Sequence, residues 1–250
     1  MSEFLYRRNT VLEALRSGRR RLIRLWLQEG LPADQNAPLL AQAKERGAPV
    51  KTAAKGELSQ MTGDPSHQGV VLEVGAYPYS DVDSMLRLAA ARGEKPLLLL
   101  LDLVQGPQNV GLLLRTAEGC GAHGVILQER RSPEVTPQVA IFSTGASEHL
   151  LIAQVTNLVQ TIQQLQREDV WMMGLDLNPA ARPLGQVDLN IPLGIVVGNE
   201  GSGLRRLVRE RCDLLVRLPM RGRLESFNAA VAGSLVLYAA GQSRSSPTQA

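Results

Sequence analysis

Hydrophobic and polar positions alternate along the chain in two styles. From residue 96 onward, short apolar runs trade places with helical periods. The runs 97–101, 125–127, 150–155, 170–175, 193–197 and 214–218 read as six strands. Helices are predicted over 110–118, 158–166, 204–211 and 228–240. Segment 97–101 is five leucines in succession, which predicts a central strand covered on both faces. Strands alternating with helices predict a mainly parallel sheet. The front of the chain is less regular. Val11, Leu12 and Leu15 recur at helical spacing, with Asn9 or Thr10 as the expected N-cap. Residues 22–27 alternate as a half-buried strand, 37–46 is helical and stops at Gly47, and 69–74 is a second strand. This order (helix, strand, helix, helix, strand) predicts a small α/β module over 1–75. Tyr77-Pro78-Tyr79-Ser80 breaks the pattern, a short helix follows over 81–92, and Gly93-Glu94-Lys95-Pro96 marks a boundary. A linker is therefore expected over 76–95 and a second domain over 96–250, ending in a polar tail from Ser243.

Composition narrows the class without naming it. The 250 residues are 44% hydrophobic and 20% charged, an ordinary globular balance that excludes a disordered or collagen-like chain. No apolar run reaches the roughly 20 residues of a membrane span. The first residues lack a signal-peptide core, and Glu3 and Glu13 are unlike a transit peptide, so a cytoplasmic protein is expected. Two cysteines and three scattered histidines predict neither a disulfide framework nor a metal centre. The net charge of +3 is unevenly spread. Residues 1–75 hold 11 basic and 8 acidic side chains, whereas 76–250 hold 16 of each. Arg16, Arg19, Arg20, Arg21 and Arg24 crowd together with no acid among them. Such a cluster predicts a polyanionic partner or, equally, a solvated basic helix. A second basic stretch runs from Arg205 to Arg223, seven arginines against Glu210 and Asp213.

One familiar motif is a decoy. Gly119-Cys120-Gly121-Ala122-His123-Gly124 matches the dinucleotide fingerprint, but it closes a helix and leads into a strand, the reverse of the required context. Ligands of parallel sheets bind beyond the carboxyl ends of strands, and three segments leave strands in that direction. The first, 102–111, contains Gly106, Pro107, Asn109 at an expected N-cap and Gly111, with Arg115 and Thr116 following on the helix. An arginine after three leucines is a poor core residue, so Arg115 is either a site residue or a surface ion pair. The second is Gly198-Asn199-Glu200-Gly201-Ser202-Gly203, a glycine-rich loop that offers backbone groups to a ligand. The third is Leu218-Pro219-Met220-Arg221-Gly222-Arg223-Leu224-Glu225-Ser226-Phe227-Asn228, where Ser226 and Asn228 suit a helix start.

These three segments, in this order, resemble the motifs of the SpoU (TrmH-type) RNA ribose methyltransferases. The front of the chain, with the helix from Asn9 and His67-Gln68-Gly69-Val70, is similar to the ribosomal-protein-like RNA-binding domain of the RlmB branch, which modifies guanosine in 23S rRNA. The resemblance implies an α/β fold whose C-terminal SPOUT domain carries a mainly parallel sheet and a trefoil knot. It implies S-adenosyl-L-methionine as cofactor, RNA as substrate and a homodimer, with neither membrane nor metal. Carried over by motif, Arg115, Asn109, Glu200, Ser226 and Asn228 form the catalytic set. Gly198, Asn199, Leu218, Phe227 and Asn228 hold the cofactor. Arg16, Arg19, Arg20, Arg21 and Arg24, with Arg221 and Arg223, are expected on the RNA. Transfer RNA as substrate, or a non-catalytic RNA-binding or ribosome-assembly role on the same scaffold, are the alternatives. The chain departs from the family pattern at Gly106, Leu112 and Phe227. The implied reaction is methyl transfer to a ribose 2′-oxygen, with Arg115 as base or as electrostatic anchor.

Overall fold

The structure is a computed structural model and describes residues 2–130 and 132–245. In chain order the elements are β1 (Glu3–Tyr6), α1 (Arg8–Ser17), β2 (Leu22–Gln28), α2 (Ala33–Glu45), β3 (Val50–Ala53), α3 (Lys55–Thr62), β4 (Val70–Val74) and α4 (Val82–Arg92). There follow β5 (Leu97–Asp102), α5 (Pro107–Gly119), β6 (Gly124–Gln128), α6 (Pro137–Phe142), β7 (Ile152–Val155), α7 (Leu158–Arg167) and β8 (Trp171–Leu175). The chain closes with β9 (Arg182–Pro183), β10 (Leu193–Gly198), α8 (Arg206–Arg211), β11 (Leu214–Arg217) and α9 (Ala229–Ser245). Part of the expected tail from Ser243 is thus helical, and the rest of it, 246–250, lies outside the described residues.

Two compact units divide these elements. The first comprises residues up to Pro78 together with Val135–His149. Its sheet runs β1-β4-β2-β3. The period of two along β4 sends Val70, Leu72 and Val74 to one core with Leu5, Val11, Leu15 and Leu25. It sends Val71 to the other core with Tyr6, Leu58 and Ile141. Two strands escape the sequence pattern. β1 is only four residues long, and β3 is an edge strand with three of its four residues exposed, so neither shows a clear alternation. Because β1 runs straight into α1, the residue before the helix is Arg7 at φ 69°, not Asn9 or Thr10, and Thr10 is buried.

α6 belongs to this first unit although it lies far along the chain. Glu148, in the 3₁₀ turn Ala146–Glu148 that follows it, is fully buried against Arg20. Residues 135–149 therefore interrupt the continuous second domain expected over 96–250. The segment 76–95 is likewise more than a connection. Asp81 accepts a hydrogen bond from Ser84 N at the head of α4, and Val82 and Met85 join the core of the second unit.

In that second unit the strands run β7-β6-β5-β10-β8-β11-β9, and every ladder between them is parallel. The five leucines of β5 are at most 1% exposed, as a strand covered on both faces requires. Burial of each contributes about 1.5–3 kcal/mol. β10 inserts between β5 and β8, β11 returns to the far side of β8, and α9 then crosses back to pack on α5 and β10. This out-of-order return is the chain path on which the expected knot rests. Gly233 permits the last crossing, since a Cβ there would come within 2.7 Å of Leu113 and 2.9 Å of Val197. The glycine decoy behaves as its context predicts: Gly119 ends α5, Gly121 takes φ 74°, and Gly124 opens β6.

Candidate active site

The carboxyl ends of β8, β10 and β11 converge on a pocket of about 220 Å³. The loop after β10 forms one wall. Asn199 and Gly203 exchange backbone hydrogen bonds of 3.1 and 2.9 Å, folding the loop back upon its own strand. Only glycine fits where it folds, because a Cβ on Gly198 would lie 2.3 Å from the carbonyl carbon of Gly203. The Asn199 side chain stitches the loop together: Oδ1 accepts from Gly201 N at 2.9 Å and Nδ2 donates to the Leu103 carbonyl at 3.0 Å. Below it, fully buried Asp102 accepts from Arg205 N at 2.8 Å and from Arg205 Nε at 2.6 Å. The end of β5 is thus tied by one carboxylate to the head of α8, where the loop after β10 closes.

Three sequence-distant segments meet at the rim. Asn109 Nδ2 donates to Glu200 Oε1 at 2.5 Å, and Asn109 Oδ1 accepts from Asn228 Nδ2 at 3.4 Å. Asn228 Oδ1 in turn accepts from Ala230 N and Val231 N, capping α9. Asn109 is not the N-cap of α5. Gly106 occupies that position and Pro107 the first helical turn, which frees the Asn109 amide for Glu200 and Asn228.

Of the residues expected to hold a cofactor, Gly198, Asn199, Leu218 and Phe227 line the pocket, together with Glu200 and Ser226. Asn228 is not on its wall, because its amide is spent on Asn109 and on the head of α9. Arg115 is exposed on α5, nearly two turns beyond Asn109, and also stands off the pocket wall. Sequence reasoning missed Asp176 and Arg209, which do line it. They face each other at 2.7 Å, with the Asp176 side chain only 7% exposed. Asp176 follows directly on β8, so the same rule that selected the other three loops pointed to it.

The basic stretches look different in three dimensions. Arg20 is corrected from a surface contact to a core residue. Its Nη1 lies 2.5 Å from Glu3, its Nε lies 3.0 Å from Glu148, and its side chain is fully buried, so no polyanion reaches it. Arg16 pairs with Glu13 at 2.7 Å, and Arg19 donates to the Pro78 carbonyl at 3.2 Å. Arg24 stacks over Trp26, while Arg21 is exposed. In the C-terminal stretch Arg205, Arg206 and Arg209 are matched by Asp102, Glu210 and Asp176. Arg221 and Arg223 remain exposed beside the pocket loop. Burial, then the charges of Asp213, Asp102 and Asp176, push the Cys212 thiol up to about 12, so it is no thiolate nucleophile at neutral pH. Among the described residues no His, Cys, Asp and Glu gather in a metal-binding group, and no helix is long and apolar enough to cross a membrane.

A parallel sheet whose strand ends cradle a small-molecule pocket, in a chain that also folds a separate α/β unit, defines a two-unit α/β protein with a ligand site of the open-sheet kind. Residues 96–238 match the family model of the SpoU rRNA Methylase family, and residues 4–80 match that for RNA 2′-O ribose methyltransferase substrate binding. The chain belongs to the SpoU methylase family. YacO of Bacillus subtilis (strain 168), named for the TrmH family of tRNA/rRNA methyltransferases, is 39% identical over 94% of each chain. Two solved structures share the fold. The SpoU methyltransferase AviRb from Streptomyces viridochromogenes, in complex with AdoMet, superposes with a TM-score of 0.79 at 24% identity over 97% of this chain and 90% of that one. An AdoMet-bound rRNA methyltransferase from Sinorhizobium meliloti gives 0.77 at 23% identity over 96% and 87%.

Proposed function

We propose that this chain transfers a methyl group from S-adenosyl-L-methionine to a ribose 2′-hydroxyl of structured RNA, with guanosine in 23S rRNA as the target. The observation that carries this reading is the amide chain Glu200–Asn109–Asn228, which brings the three motif segments together at the mouth of one pocket. The pocket suits the cofactor in kind. Residues 198–204 supply backbone groups with no Cβ at the closest approach, Leu218 and Phe227 supply apolar cover, and Asp176 supplies a carboxylate. When bound, the cofactor brings an electrophilic methyl group, so the protein has little electrophilic work to do. What remains is to orient the ribose oxygen and to manage its proton.

A guanidinium is a cation with five N–H donors and no acceptor, which makes Arg115 an anchor for an RNA phosphate and for developing negative charge on the oxygen, not a base. Asn109 and Glu200 hold each other at the rim and fix the position of the sugar, and Ser226 and Asn228 brace the loop before α9. Leu112 on α5 and Val231, Leu235 and Tyr238 on α9 are each at least 39% exposed on neighbouring helices. Such an apolar stripe supports the homodimer reading. A cytoplasmic location belongs to the same proposal.

The test is incubation of the purified chain with methyl-labelled S-adenosylmethionine and, separately, 23S rRNA and total tRNA. Label in an alkali-resistant dinucleotide of 23S rRNA is the expected result. Label in tRNA alone would move the substrate to tRNA, and cofactor binding without label in either would favour a non-catalytic RNA-binding role.

A further inference from the structure

The first unit has a basic concavity that the arginine cluster of the sequence does not include. A pocket of about 350 Å³ is lined by Arg7, Gln28, Lys55, Ser66 and Gln68 among others. Its two sides are built from backbone in uncommon conformations, with Arg7 at φ 69° and Gln68 at φ 57°. The two are braced against each other: the Gln68 side chain accepts from Arg8 N at 3.0 Å, and Arg7 Nη2 donates to Ser66 Oγ at 3.2 Å. The His67 ring, 1% exposed, accepts from Gly69 N at 3.0 Å and fixes the turn from within.

A second set of cations stands beside this pocket on β2 and β3. Gln28 lies on the pocket wall, and Trp26 sits two residues back on the same face, about 7 Å away. The Trp26 ring holds two cations, Arg24 at 5.0 Å and Lys51 at 6.0 Å from its centroid. Lys51 stands directly across from Trp26 in the β2–β3 register. Among the described residues no carboxylate lies within ion-pair distance of Arg24, Lys51 or Lys55. Glu73 is opposite Arg24 in register without reaching it, and Asp64 approaches Arg7 only to 3.9 Å. This sets the groove apart from Arg16 and Arg20, whose charges are already spent on carboxylates.

We propose that this groove binds unpaired RNA, with Lys51 and Arg24 on successive phosphates and one phosphate seated between Arg7 and Lys55. The inference rests on the RNA-substrate reading above and says where on the first unit that RNA lies. An indole that holds two cations without neutralising them lowers the ordering cost of a phosphate contact. A recessed pocket admits a splayed single strand, whereas the outer rim of a duplex presents its phosphates on a convex surface. The Gln68 Nε2 amide, whose Oε1 is turned to Arg8 N, adds a donor, while Ser66 Oγ donates to Asp64 Oδ1 at 2.6 Å and positions Arg7, completing a phosphate site of the ordinary backbone-positioning kind.

The test is fluorescence anisotropy of the full chain with a labelled 12-nucleotide oligouridine and with a blunt RNA duplex of the same length, over a series of salt concentrations. Lys51→Gln with Lys55→Gln is the test variant; both side chains are exposed, so the fold survives. Arg87→Gln, which removes an exposed pair with Asp81 on α4, is the control. For the oligouridine the double variant is expected to lose about tenfold in affinity and to flatten the log–log salt slope by about 1.4, two single-strand phosphate contacts. The control changes neither. Wild-type binding with an unchanged slope in the double variant overturns this site alone. Equal losses on the duplex overturn the assignment to unpaired RNA. A wild-type chain that binds no RNA overturns the substrate reading and the groove with it.

Discussion

Replacing Gly198 by alanine tests the pocket at its tightest point. The added methyl carbon would lie 2.3 Å from Gly203 C, 2.5 Å from Gly203 O and 2.5 Å from Leu204 N. All three are backbone atoms, so no side chain can rotate aside. Restoring ordinary contact requires the loop to retreat by about 1 Å. That retreat weakens the paired Asn199–Gly203 hydrogen bonds of 3.1 and 2.9 Å, worth about 0.5–1.5 kcal/mol each. Overpacking adds about 1–3 kcal/mol. A total near 3 kcal/mol shifts the urea midpoint down by about 1 M at the slope of a protein this size. The same movement reshapes the wall from Asn199 to Leu204, and S-adenosylmethionine affinity should fall at least about tenfold, or 1.4 kcal/mol. Gly201→Ala is the matched control, because its Cβ meets only Asn199 Oδ1 at 3.6 Å. It should stay within about 0.5 kcal/mol of the parent in stability. Urea unfolding and calorimetric titration measure both quantities. A Gly198→Ala protein with parental midpoint and parental affinity would refute the claim that this close approach shapes the pocket.

Other expectations follow from the same geometry. Arg115→Ala should abolish methyl transfer while calorimetric S-adenosylmethionine binding survives, since Arg115 stands off the pocket wall; near-parental turnover would remove it from the mechanism. Arg20→Met leaves Glu148 buried without its cation, at a cost of about 3–5 kcal/mol. A thermal melt unchanged by that substitution would contradict its core role. Burial holds His123 below its ordinary pKa despite Glu94 beside it, and Nδ1 accepts from Leu97 N at 3.0 Å, a bond that protonation there would break. The unfolded chain therefore takes up the proton first. His123 contributes stability above about pH 6.5, and that contribution is lost as pH falls toward the depressed folded value. His123→Gln should flatten the slope of urea-derived stability across that window, and an unaltered slope would assign the acid sensitivity elsewhere.

The second unit was largely legible in the sequence, because its strands are long, buried on both faces and separated by regular helices. β5 illustrates this: five leucines in succession have no other comfortable place in a small α/β protein. β1 and β3 were illegible for the opposite reason, being short or exposed at an edge, where neither face imposes a period. α6 carries no mark of its destination, since only packing sends residues 137–142 to a sheet whose last strand ended at Val74. Asn109 was placed one turn too early in the reading of caps, as a glycine followed by proline starts the helix before it.

What the sequence determined by itself is the set of chemical groups and the strand ends that carry them. Asn109, Glu200 and Asn228 each follow or precede an apolar run, and a parallel sheet obliges such runs to end on one side. What only the tertiary structure decided is which charges are free. A count of arginines is blind to partners, because Arg20 meets Glu148 across 128 positions of chain and Arg205 meets Asp102 across 103. Desolvation and pairing act through space, so the cluster at 16–24 is partly a buried scaffold. Lys51 and Lys55, unremarked in the charge tally, meet no carboxylate among the described residues: Lys55 lines a pocket and Lys51 stands over the Trp26 ring.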